Sequence, residues 1–358
     1  MSKSQSAPAP YPVVEVRGSP REMGVQHGQQ ARERVGLMLE RYFGQSTRRL
    51  IGGADGEQPV ERDAIEYAES LLPLSEAYAP DLVAEVRGIA EGSHHDSREL
   101  FALQHFVDWG GAPVSAPTAP AGCSTVVAVG SAHRQGHTLL GWNDDMSSGL
   151  VGATIILRSF PDEGPAITGI CFAGTIPECG ATRERAVACN HLLSPHGAEG
   201  VPYLFIPRKA LQQPTLSDAI RAIVDARRID GMNFLVVDRS GEYVNIETTS
   251  QEYWLTDTGD DCYAHTNHFL APAFTFRTDY RAHWHSQLRL MSLNRFLKRQ
   301  RGQIDRGSVK KALCSHRATL CNHGTGMTVT CMLCDLTAGC VAFSSGPPCL
   351  DQFQEFTL

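Results

Sequence analysis

The chain changes texture at residue 123, and that change bounds what it can fold into. Before it, residues 13–110 read mainly as helix. "PVVEVRGS" alternates like one strand, and "SPREMGVQHGQQARERVGLMLERYF" follows with helical periodicity. Ser19 is placed to cap that helix, Pro20 suits its first position, and Glu22 completes a capping box. "GQSTRRLIGGADGEQP" interrupts the pattern before helices resume up to "LFALQHFVDW". After residue 123, short apolar runs take over. "CSTVVAVGSA", "HTLLGWN", "VGATIILRSF", "PAITGICFA" and "AVACNHLLS" read as successive strands. The helix "TLSDAIRAIVDARRI" precedes the strands "GMNFLVVDR" and "GEYVNIETT". "DYRAHWHSQLRLMSLNRFLKRQR" is a basic helix, and "GMTVTCMLCDLTAGCVAFSSGPP" closes the chain as a hairpin. Hairpins flanked by helices, without regular strand–helix–strand units, predict a layered α+β fold.

Between the two textures lies "GGAPVSAPTAPAG", a Gly- and Pro-rich break, and Cys123 follows it directly. A cysteine opening a strand is ordinarily a small core residue, and this chain has eleven cysteines. Position sets Cys123 apart. Gly122 leaves the backbone before it bare, and the small hydroxyls of Ser124 and Thr125 follow. A thiol attacks as thiolate and needs a nearby base or positive charge. Were the chain cut before Cys123, the new α-amine would be tethered to the thiol, with a pKa of about 7.7–8.0. Nucleophile and base would then be one residue.

Charge and cysteine usage exclude several classes. The 358 residues carry 32 basic against 39 acidic side chains, a net charge of -7, so no cationic surface for nucleic acid is expected. No apolar run approaches the ~18 residues of a membrane span. "MSKSQSAPAPYP" lacks the apolar core of a signal peptide; residues 1–12 are read as a flexible tail and the location as cytoplasmic. An odd cysteine count argues against a complete disulfide framework. Cys331 and Cys334, with Cys314 and Cys321, superficially resemble a zinc set. Yet "MTVTCMLCD" alternates like a strand, which puts Cys331 and Cys334 on opposite faces, and a zinc knuckle needs a turn. Neither a metal nor a cofactor is expected.

Several blocks resemble, in order, the acyl-coenzyme A:6-aminopenicillanic acid acyltransferase family of N-terminal-nucleophile hydrolases, which includes carcinine and N-β-alanyl-dopamine hydrolases. They are "VVEVRGSPREMGVQHG", "DLVAEVRGIAEG", "AGCSTVVA", "LLGWNDD", "ATRERAVACNHL", "MNFLVVDRSGEYVNIE", "HTNHF", "TLCNHG" and the closing hairpin. The resemblance implies a four-layer αββα fold and one catalytic domain over residues 13–358. It also implies an inactive precursor in which Cys123 attacks Gly122. Cleavage between 122 and 123 would leave a helix-rich chain, 1–122, and a strand-rich chain, 123–358, still associated. Asn267 matches the family's oxyanion-hole asparagine. The family's Asn-x-Asp pattern meets Asn143 followed by two aspartates, so Asp145 is preferred as the acid beside Cys123 and Asp144 stays open. Arg317 approximately matches an arginine of processing or substrate binding and could pair with Asp145 or a substrate carboxylate. Asn143 and Asn190 are further candidates for the substrate pocket, with Glu247 in a matching block. His265 and His268 are not assigned as bases.

The implied reaction is acyl transfer through a thioester on Cys123, with water or an amine as acceptor. Small N-acyl amines or N-acyl amino acids are the expected substrates, β-alanyl amides among them. An acyl thioester such as acyl-CoA would serve as substrate if the enzyme is a transferase. Assembly into a homo-oligomer stays open. The competing readings are a thiol hydrolase that never cleaves itself and a binding or structural member with a degenerate site.

Overall fold

Ser19 caps the first helix as the sequence predicts: its hydroxyl takes the Glu22 amide hydrogen, and the Glu22 carboxylate reaches back to the Ser19 amide. The structure, a computed structural model, describes residues 9–44, 46–51, 60–108, 122–192, 199–256, 259–275, 284–324 and 326–358. The Gly/Pro break up to residue 121, residues 1–8 of the tail and the start of the basic helix, 276–283, lie outside the described residues.

Strand β1 (Val13–Gly18) leads into helices α1 (Pro20–Gln30) and α2 (Arg32–Phe43). The hairpin β2 (Arg48–Ile51) and β3 (Val60–Asp63) precedes α3 (Ala64–Tyr78), α4 (Pro80–Ser93) and α5 (Ser97–Leu103). Strands β4 (Gly122–Gly130), β5 (Gly136–Ser147), β6 (Thr154–Pro161), β7 (Ile167–Phe172), β8 (Cys179–Ala181) and β9 (Arg185–Leu192) follow. Helices α6 (Phe205–Gln212) and α7 (Leu216–Val224) come next, then β10 (Gly231–Asp238), β11 (Tyr243–Thr248), β12 (Tyr253–Thr256) and β13 (Cys262–His265). The chain ends with α8 (Trp284–Gln300), α9 (Arg306–Leu313), β14 (Gly326–Asp335), β15 (Cys340–Ser344) and β16 (Phe353–Thr357).

Two sheets face each other. One has eight strands in the order β1-β6-β7-β8-β9-β10-β11-β12, the other six in the order β13-β4-β5-β14-β15-β16. Helices α1, α6 and α7 pack on the first sheet, and α8 and α9 on the second, while β4 and β5 meet β9 across the interior. This is the expected αββα layering. Alternation along β4 divides its side chains between two cores: Val127 and Val129 join the larger one between the sheets, Val126 and Ala128 the smaller one under α8 and α9.

The stretch read as one helix after Ser19 is two, broken at Ala31. Packing explains the break. Helix α1 runs against α4 through glycines: a Cβ at Gly24 would lie 2.0 Å from the Glu85 carbonyl oxygen, and one at Gly92 the same distance from that of Val25. Helix α2 turns away to bury Val35, Met38, Leu39 and Tyr42. The tail is anchored before residue 13: Tyr11 is buried, with its hydroxyl on the Val329 carbonyl at 2.6 Å and its amide on Ser345. Helix α6, with Pro207 in its first turn and no side-chain cap, had no readable start.

Candidate active site

The hairpin of β4 and β5 builds the site. Gly130 and Gly136 turn the chain at φ +49° and +75°, conformations glycine adopts without strain. The register then pairs Gly122 with Asp145, Cys123 with Asp144 and Ser124 with Asn143. Because strand side chains alternate, Cys123 and Asp144 share the face toward the other sheet, and Ser124, Asn143 and Asp145 share the face toward α8 and α9.

On the inner face, the Cys123 thiol is partly buried and donates to Asp144 Oδ1 at 3.6 Å. Asp144 in turn hydrogen-bonds Glu178, which also accepts from the Tyr203 hydroxyl. Burial, then the charge of Glu178, pushes the Asp144 carboxyl well above its ordinary range; burial raises Glu178 as well. Two buried carboxyls in contact hold a proton between them rather than ionise together. Burial, then Asp144, also raises the Cys123 thiol, and Arg289 opposes this more weakly. Two residues along β4, Thr125 donates to Asn190 Oδ1 at 3.1 Å, and Asn233 donates to the same oxygen. The Asn190 amide nitrogen has no partner among the described residues.

Asn267 meets the backbone at the junction. Its Oδ1 accepts from the Cys123 amide at 2.7 Å and from Arg289 Nη2 at 2.7 Å, while its Nδ2 donates to the His191 carbonyl at 2.9 Å. One Nδ2 hydrogen therefore remains for another acceptor. Ser286 holds the Asn267 amide at 2.8 Å. Glu247 clamps the same loop, accepting from the amides of Leu270 and Ala271 and bonding His265 at 2.8 Å. His268 bonds Ser286. Both histidines thus hold the loop that carries Asn267.

Asp145, on the outer face, is well supplied with donors. Thr328 donates to one oxygen and Asn322 to the other at 2.8 Å. Burial pushes its carboxyl up to about 6, against the pull of Arg289, Thr328 and Asn322. Asn143 donates to the carbonyls of Leu313 and Leu320 at 3.0 and 2.6 Å, tying down the loop after α9 away from the thiol. Arg317 is exposed on that loop, and no ion pair joins it to Asp145. The arginine near Asp145 is Arg289, which also donates to the Cys123 carbonyl and, at 2.9 Å, to the Ser124 hydroxyl. It explains Gly122 too: a Cβ there would lie 2.5 Å from Arg289 Nη2 and 2.6 Å from Asn267 Oδ1.

Sequence reasoning missed Arg289, Glu178 and Tyr203. For Arg289 a signal existed. Ser286, Arg289, Leu290, Leu293 and Leu297 form the buried stripe of α8, and an arginine on an apolar stripe asks for a buried partner. Glu178 and Tyr203 lie outside the named strands and helices, where no periodicity marks a side chain as inward.

The family model described as acyl-coenzyme A:6-aminopenicillanic acid acyl-transferase matches residues 135–348, more than half of the chain, beginning after Cys123. Among solved structures, a conjugated bile acid hydrolase variant from Clostridium perfringens aligns at 11% identity over 65% of this chain and 92% of that one, with a TM-score of 0.46. Penicillin V acylase from Agrobacterium tumefaciens aligns at 11% identity over 62% and 83%, with a TM-score of 0.43. No curated protein sequence matches the chain. On the extent of the family match, the chain belongs to the acyl-coenzyme A:6-aminopenicillanic acid acyl-transferase family, which places it among acyl-transferring enzymes.

Proposed function

We propose that this protein is a self-processing cysteine amidohydrolase or acyltransferase that works through a Cys123 thioester on small N-acyl amines. The observation that carries the reading is the surroundings of the Cys123 nitrogen and sulfur. The nitrogen is held by Asn267, and the thiol rests against a buried acid pair, Asp144 and Glu178. Among the described residues, no basic side chain forms an ion pair with either acid. An α-ammonium created at Cys123 would supply the missing positive charge.

In maturation, the Cys123 sulfur adds to the Gly122 carbonyl while its proton passes to the Asp144–Glu178 pair. The C–N bond breaks and the leaving nitrogen takes a proton. The Gly122 thioester that results is hydrolysed by water, giving a Gly122 carboxylate and a free Cys123. In turnover, the α-amine of Cys123 takes the thiol proton, the sulfur adds to a substrate amide, and the amine product leaves protonated. Water or a second amine then removes the acyl group. The spare Nδ2 hydrogen of Asn267 suits the oxyanion. The acidic inner face suits a substrate with an ammonium near its carbonyl, as in β-alanyl amides. Association of the fragments is supported by β1, which pairs with β6 in parallel at the edge of the eight-stranded sheet. Eleven free thiols suit a reducing, cytoplasmic compartment, and among the described residues no helix is long and apolar enough to cross a membrane.

The test is intact-mass analysis of freshly made protein beside Cys123→Ala. Wild type yields fragments meeting at 122/123 and the variant stays whole. An uncut wild type with full turnover sinks the maturation step, and full turnover by the variant sinks the nucleophile. Amine release and acyl transfer to an added amine, measured separately on β-alanyl and other N-acyl amines, define the substrate.

A further inference from the structure

On the loop behind the outer face, four soft donors converge from segments the chemistry above does not use. His316, Cys321 and His323 lie between α9 and β14, and Cys349 lies in the short turn Pro348–Leu350. Their donor atoms all fall within 4.8 Å of one another. His323 Nε2 stands 3.3 Å from His316 Nε2, 3.2 Å from the Cys349 sulfur and 3.9 Å from the Cys321 sulfur.

Hydrogen bonding does not account for this crowding. A ring nitrogen offers either one proton or one lone pair, and here three donor atoms surround one such nitrogen. A central cation satisfies all four at once. Tetrahedral zinc, with bonds of about 2.0–2.1 Å to nitrogen and 2.3 Å to sulfur, sets its ligands about 3.3 Å apart for two nitrogens and about 3.5 Å for nitrogen and sulfur. The observed nitrogen–nitrogen spacing matches, and the two nitrogen–sulfur spacings bracket the ideal. Two thiolates and two neutral imidazoles also balance the dication.

We propose that His316, Cys321, His323 and Cys349 bind a structural zinc ion. Asn322 sits between two of these ligands and donates to Asp145. The Asn322 amide bonds the Thr328 hydroxyl, and the Thr328 amide returns to the Asn322 carbonyl. The ion staples this loop to the turn at Cys349 and so fixes the donors of Asp145. This set differs from the one the cysteine spacing suggested. Cys331 and Cys334 point into separate cores, and only Cys321 is shared. What joins the ligands is the return of Cys349 beside the loop.

The test uses the full chain, purified without chelator and dialysed against zinc. About one zinc per chain is expected by elemental analysis. Cobalt in its place gives the intense ligand-field and thiolate charge-transfer absorption of a tetrahedral site. Cys349→Ser and His316→Ala, both at half-buried or exposed positions, lower zinc affinity at least ~10-fold while circular dichroism stays native. Chelation speeds amide exchange at Asn322 and Thr328. The proposal falls if folded wild type holds no zinc, if cobalt gives only the weak spectrum of an octahedral ion, or if peptide mapping finds a Cys321–Cys349 disulfide.

Discussion

Asp144 and Asp145 are neighbours on one strand, and they live in opposite chemistries. Asp144 faces inward, against a thiol and a second carboxyl, with no cation paired to it among the described residues. Asp145 faces outward, with a hydroxyl and an amide as donors and an arginine close by. Both carboxyls are raised by burial. The difference lies in what opposes burial. On the outer face, donors and a nearby arginine hold the carboxyl to about 6, so it is ionised at neutral pH; on the inner face a proton takes their place. A buried acid that keeps a proton can pass it on, whereas one that is fully hydrogen-bonded holds structure. On the proposed function, the inner aspartate is the working acid and the outer one a support of the frame.

The largest expected effect tests that division. Asp144→Asn should slow fragment formation and turnover by about 10²–10⁴-fold, the range of general acid–base catalysis, with folding intact. Wild-type processing in that variant, followed by mass, would break the comparison. Next comes Arg289→Ala, which takes a charged donor from the Cys123 carbonyl, the Ser124 hydroxyl and Asn267, removes a positive charge acting on Asp145 and empties the space beside Gly122. A stability loss of about 3–5 kcal/mol in urea melts is expected. Arg289→Lys keeps charge but loses the fork and should recover only part of it.

Asp145 then gives a pH signature of its own. Its folded pKa, about 6, lies above the ordinary value of 3.8. The folded state therefore holds a proton that the unfolded state has released, and its stability falls as pH rises from about 4 to above 6. Asp145→Asn removes that term. The wild-type advantage over the variant should shrink by about 2–3 kcal/mol between pH 4 and pH 7.5. An advantage independent of pH would show that Asp145 titrates normally. The smallest effect is Thr328→Val, which takes one donor from Asp145. It should cost about 1–2 kcal/mol above pH 6 and less below, as read from the same melts.

How much of this could be read in advance depends on distance along the chain. The capping box at Ser19, the strand that begins at the Gly122–Cys123 junction and the opposite faces of Cys331 and Cys334 are local, and periodicity reports them directly. The hairpin of β4 and β5 is nearly as local, so Asn143, Asp144 and Asp145 were legible as neighbours of Cys123. Which aspartate shares its face was not, because a shift of one residue in register exchanges them. The break at Ala31 was hidden for a related reason: it serves the packing of two helices on different partners and leaves no mark in the local pattern.

The sequence by itself determined a two-texture chain, a layered α+β fold and a glycine–cysteine junction at the change, because each rests on near neighbours. Tertiary structure alone decided the rest. Arg289 arrives from a helix more than 160 positions beyond Cys123, Glu178 from a segment outside the strands, and Cys349 from a turn that closes on a loop before β14. Contacts of that kind follow from how sheets and helices stack, and local periodicity does not encode which distant residues the stacking brings together.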